Sequence, residues 1–554
     1  MEEVERILMV LYSSNSTIFT ATIFLFILII IFIIPRTNRS KTKPRLPPGP
    51  PAIPIIGHLH LIRSLPHHAF DKLAGRYGPL MHLRLGSVLA IVASSPDMAK
   101  EVLKTNDANF ASRPQNHASR RFGHDGSGLV FAPYGPYWKW IRKLCMSELL
   151  GSRTVDQLLP MRRLSLHDLL RTLLDASRRR QQVNISEELV KMGIGTVGRS
   201  LVGSTSFREY YYGGDNHDDD LDEMMKLTKE VNMLVGSFNV SDFIPALARW
   251  DLQGLDKKIQ DVHHRFDAML ERIIERKQDL KYSRNNNNYH HIRSQNIKDL
   301  LDIVLDIADN DHDQESDIKL TRENIKSFVL EVLVAGSDSS AATMEWTLAE
   351  LMQHPEMLEK AKLEIEEVVG KDRIVEERDI PKLPYLQAIV KESLRLHPAA
   401  AFALRLCIND VRIKDYDIPA GSHMFVNLWA VGRDPSYWQD PLEFKPERFL
   451  LFNSNNDHNN YNQEEEEEIM KMVDFRGQYY HYLPFGSGRR VCPGMNLALQ
   501  VVQATLGALI QCFEWAPDDK KVMDMAEGIG IVIPRAHPII CVPVARLDPL
   551  PYLS

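Results

Sequence analysis

The segment Pro484-Phe485-Gly486-Ser487-Gly488-Arg489-Arg490-Val491-Cys492-Pro493-Gly494 sets one cysteine among glycines and arginines, just before an apolar helical pattern that begins at Met495. Gly488 and Gly494 permit turns and close approach of the backbone to a neighbouring group. A cysteine near the start of a helix lies where main-chain N–H donors and the positive end of the helix dipole favour a thiolate. Taken alone, Cys492 would be read as a buried structural cysteine, because free cysteines usually behave as small hydrophobes. The five cysteines (Cys145, Cys407, Cys492, Cys512, Cys541) are odd in number and widely spread, without the spacings of a disulfide framework or a zinc site. That usage suits a reducing compartment, where an unpaired thiolate can serve chemistry.

Three other groupings have suggestive spacing. Glu392 and Arg395 place a carboxylate and a guanidinium on one helix face, although such pairs are common on surfaces and contribute little there. Trp138 and Arg142 stand one helical turn apart, where an ordinary core tryptophan and a surface arginine are the default. Ala335-Gly336-Ser337-Asp338-Ser339-Ser340 interrupts a long apolar helix with a glycine and polar residues, which helix propensity disfavours. Its bland reading is a serine-rich kink packed against another helix.

The cysteine segment resembles the haem-binding loop of the cytochromes P-450. That family's pattern is Phe, two of any residue, Gly, any, Arg, any, Cys, any, Gly, and Phe485, Gly488, Arg490, Cys492 and Gly494 fill every fixed position. The resemblance implies haem b as cofactor, Cys492 as iron ligand, and Arg490 neutralising a propionate by charge-assisted hydrogen bonds. A thiolate ligand pushes electron density through the iron and favours cleavage of bound dioxygen. Trp138 and Arg142 resemble the helix that covers the haem and supplies a propionate partner, and Arg405 resembles a further such partner on a strand. Glu392 and Arg395, with Arg448 of Pro446-Glu447-Arg448-Phe449, resemble the structural triad behind the haem. Ala335 to Ser340 resembles the oxygen-binding kink, which implies catalytic roles in proton delivery for Asp338 and Ser339. Ser339 stands where the family usually has threonine; it keeps the hydroxyl but lacks the β-methyl that restricts the rotamer, implying looser positioning.

At finer grain, Phe131 to Lys139, Phe238 to Phe243, Phe425 to Pro435 and Pro534 to Pro538 resemble plant microsomal members. They look most like the group that contains flavone synthase II, 2-hydroxyisoflavanone synthase, dihydroxypterocarpan 6a-hydroxylase and β-amyrin 24-hydroxylase. The resemblance implies electrons from NADPH through NADPH-cytochrome P-450 reductase and one oxygen atom inserted into an apolar plant metabolite. A flavonoid or isoflavonoid is the first expectation, a triterpenoid the alternative. Rivals of other classes are a reductase-independent haem-thiolate isomerase or dehydratase and a non-catalytic haem-binding membrane protein; Asp338 and Ser339 argue against the isomerase. Lys139, Arg142, Lys143 and Arg489 form a candidate docking patch for the reductase, with a solvated charged face as the equal alternative. Pocket segments carried over from the family are Pro114 to Val130, Leu201 to Leu247, Val332 to Ser340, Ala399 to Leu404 and Ala526 to Ile531.

These residues need a scaffold, and the hydropathy pattern predicts a mainly α architecture with a small β portion; with the resemblance, this is the cytochrome P-450 fold, a single large catalytic domain over residues 61–554 behind the N-terminal anchor. Strand patterns at Leu80 to Leu85 and Val88 to Val92, parted by Gly86-Ser87, predict a hairpin. Long helical patterns cover Leu320 to Met352 and Pro355 to Val369, and Pro381 to Pro384 separates the second from another helix. Polar stretches at Asp215 to Asp220, Ser283 to His291 and Asn453 to Glu468 are expected to be solvated loops.

Thr17 to Ile34 is an almost unbroken apolar run, long enough to span a bilayer when about 17 to 25 residues are needed. Glu2, Glu3 and Glu5 precede it and Arg36, Arg39, Lys41, Lys43 and Arg45 follow, without the features of a cleaved signal peptide. The charge step predicts a lumenal N-terminus (1–16), a transmembrane anchor (17–35) and a cytosolic catalytic domain; with the resemblance, the membrane is that of the endoplasmic reticulum. Residues 36–60 form a basic, proline-rich hinge in which successive prolines exclude a regular helix. The net charge of −7 and the 25% share of charged residues are those of an ordinary globular protein. No nucleic-acid partner is expected.

Overall fold

The computed structural model describes residues 44–62, 65–203, 219–286, 298–309, 318–450, 475–515 and 523–550. The expected lumenal segment, the anchor and the first part of the hinge, 36–43, lie outside the described residues. From Leu46 the proline run is extended and lies along the first strand: Pro48 O accepts the His82 amide at 2.9 Å, and His58 Nε2 stands 2.8 Å from Pro50 O. The run is therefore docked on the catalytic domain from its first prolines onward.

Helix α1 (Pro66–Tyr77) starts on a proline, which needs no amide partner in the first turn. The predicted hairpin follows, as β1 (Leu80–Leu85) and β2 (Val88–Ala93), with Leu80 opposite Ala93 and Leu85 opposite Val88. Two later strands complete this sheet. The third, β3 (Phe402–Leu406), pairs antiparallel with β4 (His423–Asn427), and β4 runs parallel to β2, giving the order β1-β2-β4-β3. Met81, Leu83, Leu85, Ala90 and Val92 bury one face against Phe70 of α1, while Ile91, Ala93, Met424 and Val426 bury the other.

The rest is helical. Short α2 (His117–Phe122) and α3 (Pro136–Leu144) precede α4 (Leu159–Arg179), α5 (Ile185–Val202), α6 (Asp219–Gly236) and α7 (Leu255–Asn286). The centre is α8 (Arg322–Gln353), opened by a capping box in which Thr321 and Asn324 exchange side-chain bonds. It is buried nearly all round, which suits a helix without a polar face. Beside it lie α9 (Pro355–Val368), α10 (Pro384–Leu396) and α11 (Met495–Cys512), which starts directly after the cysteine segment. One core fills the space among α4, α5, α8, α9, α10 and α11, and a second lies among α3, α5, α6, α7 and α8.

Two loop expectations need correction. Asp219 and Asp220 open α6, and Ser283 to Asn286 close α7. A polar tract can extend a helix whose apolar stripe lies elsewhere along its length. The remaining stretches, 215–218, 287–291 and 453–468, are outside the described residues. Among the described residues α11 alone is long and apolar enough to cross a membrane, but 67% of it is buried in the protein, as befits a core helix.

Candidate haem-thiolate site

The cysteine segment is a chain of short turns. Gly486 N–H donates to Leu483 O at 2.9 Å, Val491 N–H to Gly488 O at 3.1 Å and Cys492 N–H to Phe485 O at 3.0 Å. Gly488 has φ +70°, and a Cβ there would lie 2.4 Å from Asp107 Oδ1 and 2.7 Å from Leu103 O, so only glycine fits. Asp107 also accepts the Arg489 amide at 3.2 Å and its guanidinium at 2.5 Å, which pins the loop from outside. Gly494 is different. It is the N-cap of α11 with φ −89°, and a Cβ there would meet no protein atom within 4 Å. Packing within the chain does not explain that glycine, whereas a flat group lying over the loop does.

Burial pushes the Cys492 thiol up, and the Gly494 amide, Arg142 and Arg113 pull it down. Those cations belong to a larger set. Arg490, only 5% exposed, donates through Nε to Ala111 O (2.7 Å), through Nη2 to Ala132 O (2.5 Å) and through Nη1 to Leu129 O (3.3 Å) and Val130 O (3.4 Å). Its guanidinium carbon lies 4.1 Å from the centre of the buried Trp138 ring. Trp138 Nε1 donates to Leu129 O at 3.0 Å, and Arg142 Nη2 to Val491 O at 2.6 Å. Arg405, on β3, donates through Nη1 to Leu404 O at 2.9 Å and lies 3.4 Å from Ser487 O. Among the described residues, the buried Nε atoms of Arg405 and Arg113 have no acceptor.

The nearby carboxylates, Glu331 and Asp107, are outnumbered by Arg113, Arg142, Arg405 and Arg490. Burial and the neighbouring guanidiniums of Arg113, Arg405 and Arg142 bring Arg490 down to about 8, and burial with Arg113 brings Arg405 down to about 9. Buried, mutually repelling cations with unsatisfied donors call for a doubly anionic partner beside Cys492. The two propionates of haem b meet that need, and the open side of Gly494 admits the ring, so the residues present fit the group. Four of Arg490's donor contacts already end on main-chain carbonyls, which makes it chiefly a brace for the loop. Arg113 and Arg405 have the freer donors.

Arg113 is absent from the sequence expectations, which began the neighbouring pocket segment one residue later. An arginine forced toward extended backbone by Pro114 was the available signal. Glu331 was missed as well. It sits on α8, 7% exposed, and its Oε2 accepts the amides of Leu129 (2.5 Å) and Val130 (2.8 Å). Residues 129–132 are thus a strap, held by its amides to α8 and by its carbonyls to Arg490 and Trp138.

Along α8 the expected kink is absent as a break: the helix is continuous through Ala335 to Ser340. Ser337, Ser339 and Ser340 donate instead to the carbonyls of Leu333 (2.6 Å), Ala335 (2.6 Å) and Gly336 (3.0 Å). Such back-bonding bends helices without breaking them. Gly336 also serves packing, since a Cβ there would meet Val197 of α5 at 3.0 Å. Asp338 is buried, with Oδ1 unpartnered among the described residues. Burial pushes it up to about 6, against the pull of Lys229 and of a hydrogen bond from Asn232, both on α6. Asn232 Oδ1 in turn accepts the Val532 amide at 3.2 Å.

Glu392, Arg395 and Arg448 come together in one cluster. Arg395 donates to both oxygens of Glu392 (2.7 and 2.8 Å), and Arg448 Nε donates to Glu392 Oε1 at 2.9 Å. Arg395 also reaches Gly432 O and Pro441 O, both at 2.7 Å, and its guanidinium carbon lies 5.1 Å from the centre of the Trp438 ring. Phe485 packs edge-on against Phe475 with ring centres 5.9 Å apart. Of the expected surface patch, Lys139 and Lys143 are exposed and Arg489 pairs with Asp107, but Arg142 turns inward to the loop.

Fold and loop define a haem-thiolate enzyme. The cytochrome P450 pattern matches residues 47–542, and the chain belongs to the cytochrome P450 family. It is 46% identical over 516 residues to cytochrome P450 93A3 of Glycine max, spanning 93% of this chain and 95% of that one. It is similar at 44% over 518 residues to the 3,9-dihydroxypterocarpan 6A-monooxygenase of Glycine max, with 93% and 96% covered. To the beta-amyrin 24-hydroxylase of the same plant it is 40% identical over 515 residues, with 92% and 94% covered. A solved zebra fish cytochrome P450 structure with progesterone shares the fold at TM-score 0.67 and 22% identity, covering 87% of this chain and 99% of that one. The chain is a cytochrome P450 monooxygenase.

Proposed function

We propose that this protein is anchored in the endoplasmic reticulum membrane by residues 17–35, draws electrons from NADPH through a flavoprotein reductase, and oxidises a flavonoid or isoflavonoid. Likeness over nearly the full length to the 3,9-dihydroxypterocarpan 6A-monooxygenase carries this reading. The small Ala399-Ala400-Ala401 beside β3 supports a pocket with room for a ring system. Bound haem supplies the oxygen chemistry. In this reading Cys492 is the iron ligand, and Arg113, Arg142 and Arg405 hold the carboxylates while Trp138 and Arg490 brace the loop. Asp338 takes up and releases protons at its carboxylate, and the Ser339 hydroxyl passes them toward the reacting centre. The beta-amyrin 24-hydroxylase likeness supports a second reading, hydroxylation of a pentacyclic triterpene.

Microsomes containing this protein and a plant reductase, supplied with NADPH, are to be screened against flavanones, pterocarpans and pentacyclic triterpenes. Conversion of a flavanone or pterocarpan that stops without NADPH or reductase is the expected result. Turnover of triterpenes alone would replace the first reading by the second, and turnover without reductase would overturn both. Deleting residues 1–35 is expected to release much of the protein from membranes with haem binding intact.

A further inference from the structure

We propose that His67, His68 and Glu527 form a binding site for a divalent first-row transition cation, zinc in class, separate from the haem site. His67 and His68 lie in the first turn of α1, and their Nε2 atoms stand 2.5 and 2.8 Å from one oxygen, Oε2 of Glu527. The three ligating atoms lie within 4.8 Å of one another. Consecutive helical residues do not normally face the same point. One imidazole would satisfy the carboxylate, yet His68, 46% exposed, also turns to it rather than to water. Two imidazoles and a carboxylate are the donor set of many zinc sites, with the fourth position left to water.

The surroundings hold the donors in place. The His68 ring lies 4.4 Å from Trp429, the His67 ring 6.1 Å from Phe402, and the two imidazoles 4.6 Å from each other. Trp429 Nε1 donates to the other oxygen of Glu527 at 2.8 Å, and Asn427 Nδ2 donates to His67 O at 3.0 Å. Outer contacts of this kind orient metal ligands. Ligands about 2.0–2.2 Å from a tetrahedral ion stand farther apart than the present contacts, and exposed His68 can swing outward to admit the ion. A second grouping, His124, His263 and Asp267, is unsuited, because Lys326 already neutralises its carboxylate at 2.9 Å.

The ion would tie α1 to the loop of residues 526–536. That loop reaches the pocket segments, donating from Ile533 N–H to Ala399 O at 3.0 Å and from Val532 N–H to Asn232. Equilibrium dialysis of untagged, haem-loaded, full-length protein against zinc chloride tests the site. His68→Ala and Glu527→Gln are expected to weaken one zinc equivalent at least tenfold and Trp429→Phe about tenfold, with His124→Ala unchanged. Zinc is expected to raise the thermal midpoint of wild type but not of Glu527→Gln. The reduced carbonyl spectrum of each variant reports that it is folded. Equal zinc affinity in wild type, His68→Ala and Glu527→Gln, or none below millimolar zinc, overturns the site.

Discussion

Glu331 and Leu129 join α8 to the cysteine loop: the Glu331 carboxylate accepts the Leu129 amide at 2.5 Å, and the Leu129 carbonyl accepts the Trp138 indole at 3.0 Å. Glu331→Ala leaves buried amides without acceptors, at about 1–3 kcal/mol for each. Lowered denaturation midpoint and faster haem loss are the expected results, with Glu331→Gln intermediate because its amide oxygen still accepts. Unchanged midpoints in Glu331→Ala would mean that the strap is held without this residue.

Asp338 predicts a pH dependence with a definite sign. Its folded value, about 6, is above that of a free aspartate, so the folded chain binds the extra proton and stability falls as pH rises through that interval. Asp338→Asn removes a slope worth on the order of 3 kcal/mol between about pH 4 and 6. Asn232→Leu takes away a bond to the ionised form and extends the slope to higher pH. Denaturation midpoints across pH 4.5 to 7.5 decide it, and parallel curves for wild type and Asp338→Asn would contradict it.

Ser339 tests the proton path. Ser339→Ala is expected to keep haem and substrate binding while releasing more peroxide per NADPH consumed, since acid–base assistance contributes about 10² to 10⁴ in rate. Ser339→Thr restricts the rotamer and is expected to preserve or improve coupling. Equal product per NADPH in wild type and Ser339→Ala would assign proton delivery to another route.

Replacing Cys492 by His removes the thiolate, and the red-shifted Soret band of the reduced carbonyl complex is expected to disappear. A variant that keeps the band has another thiolate ligand.

Glu392, fully buried between two arginines, is expected to be intolerant of change. Glu392→Gln strands the Arg395 charge, a loss of about 3–5 kcal/mol, to be read from chemical denaturation. A shift below about 1 kcal/mol would reduce the triad to an ordinary surface network.

What was legible in the sequence was local or consecutive. The β1–β2 hairpin, α8, α9 and α10 follow from alternation, caps and prolines within their own residues. The cysteine loop and the triad were legible only through their resemblance to the cytochrome P-450 pattern, since the spacing of Glu392 and Arg395 alone is common on surfaces. Glu331 was hidden because its partners are main-chain amides some 200 positions away, and an amide leaves no mark on composition. Arg113 was hidden because its meaning depends on Arg142, Arg405 and Arg490 gathering around it. His67 and His68 gave no signal in the sequence, because the Glu527 they meet stands 460 residues away from His67. Gly494 carried the right residue for a reason the chain alone does not display.

The brace under Arg490 also implies an order of events in time. Its acceptors, from Ala111 to Ala132, emerge from the ribosome more than 350 residues before the arginine that will rest on them. Contacts of such separation come late, because chain entropy must be given up before they return anything. The turn that presents the sulfur is thus braced by contacts made across most of the chain, and it cannot close until residues 111–132 and 490 are all in place.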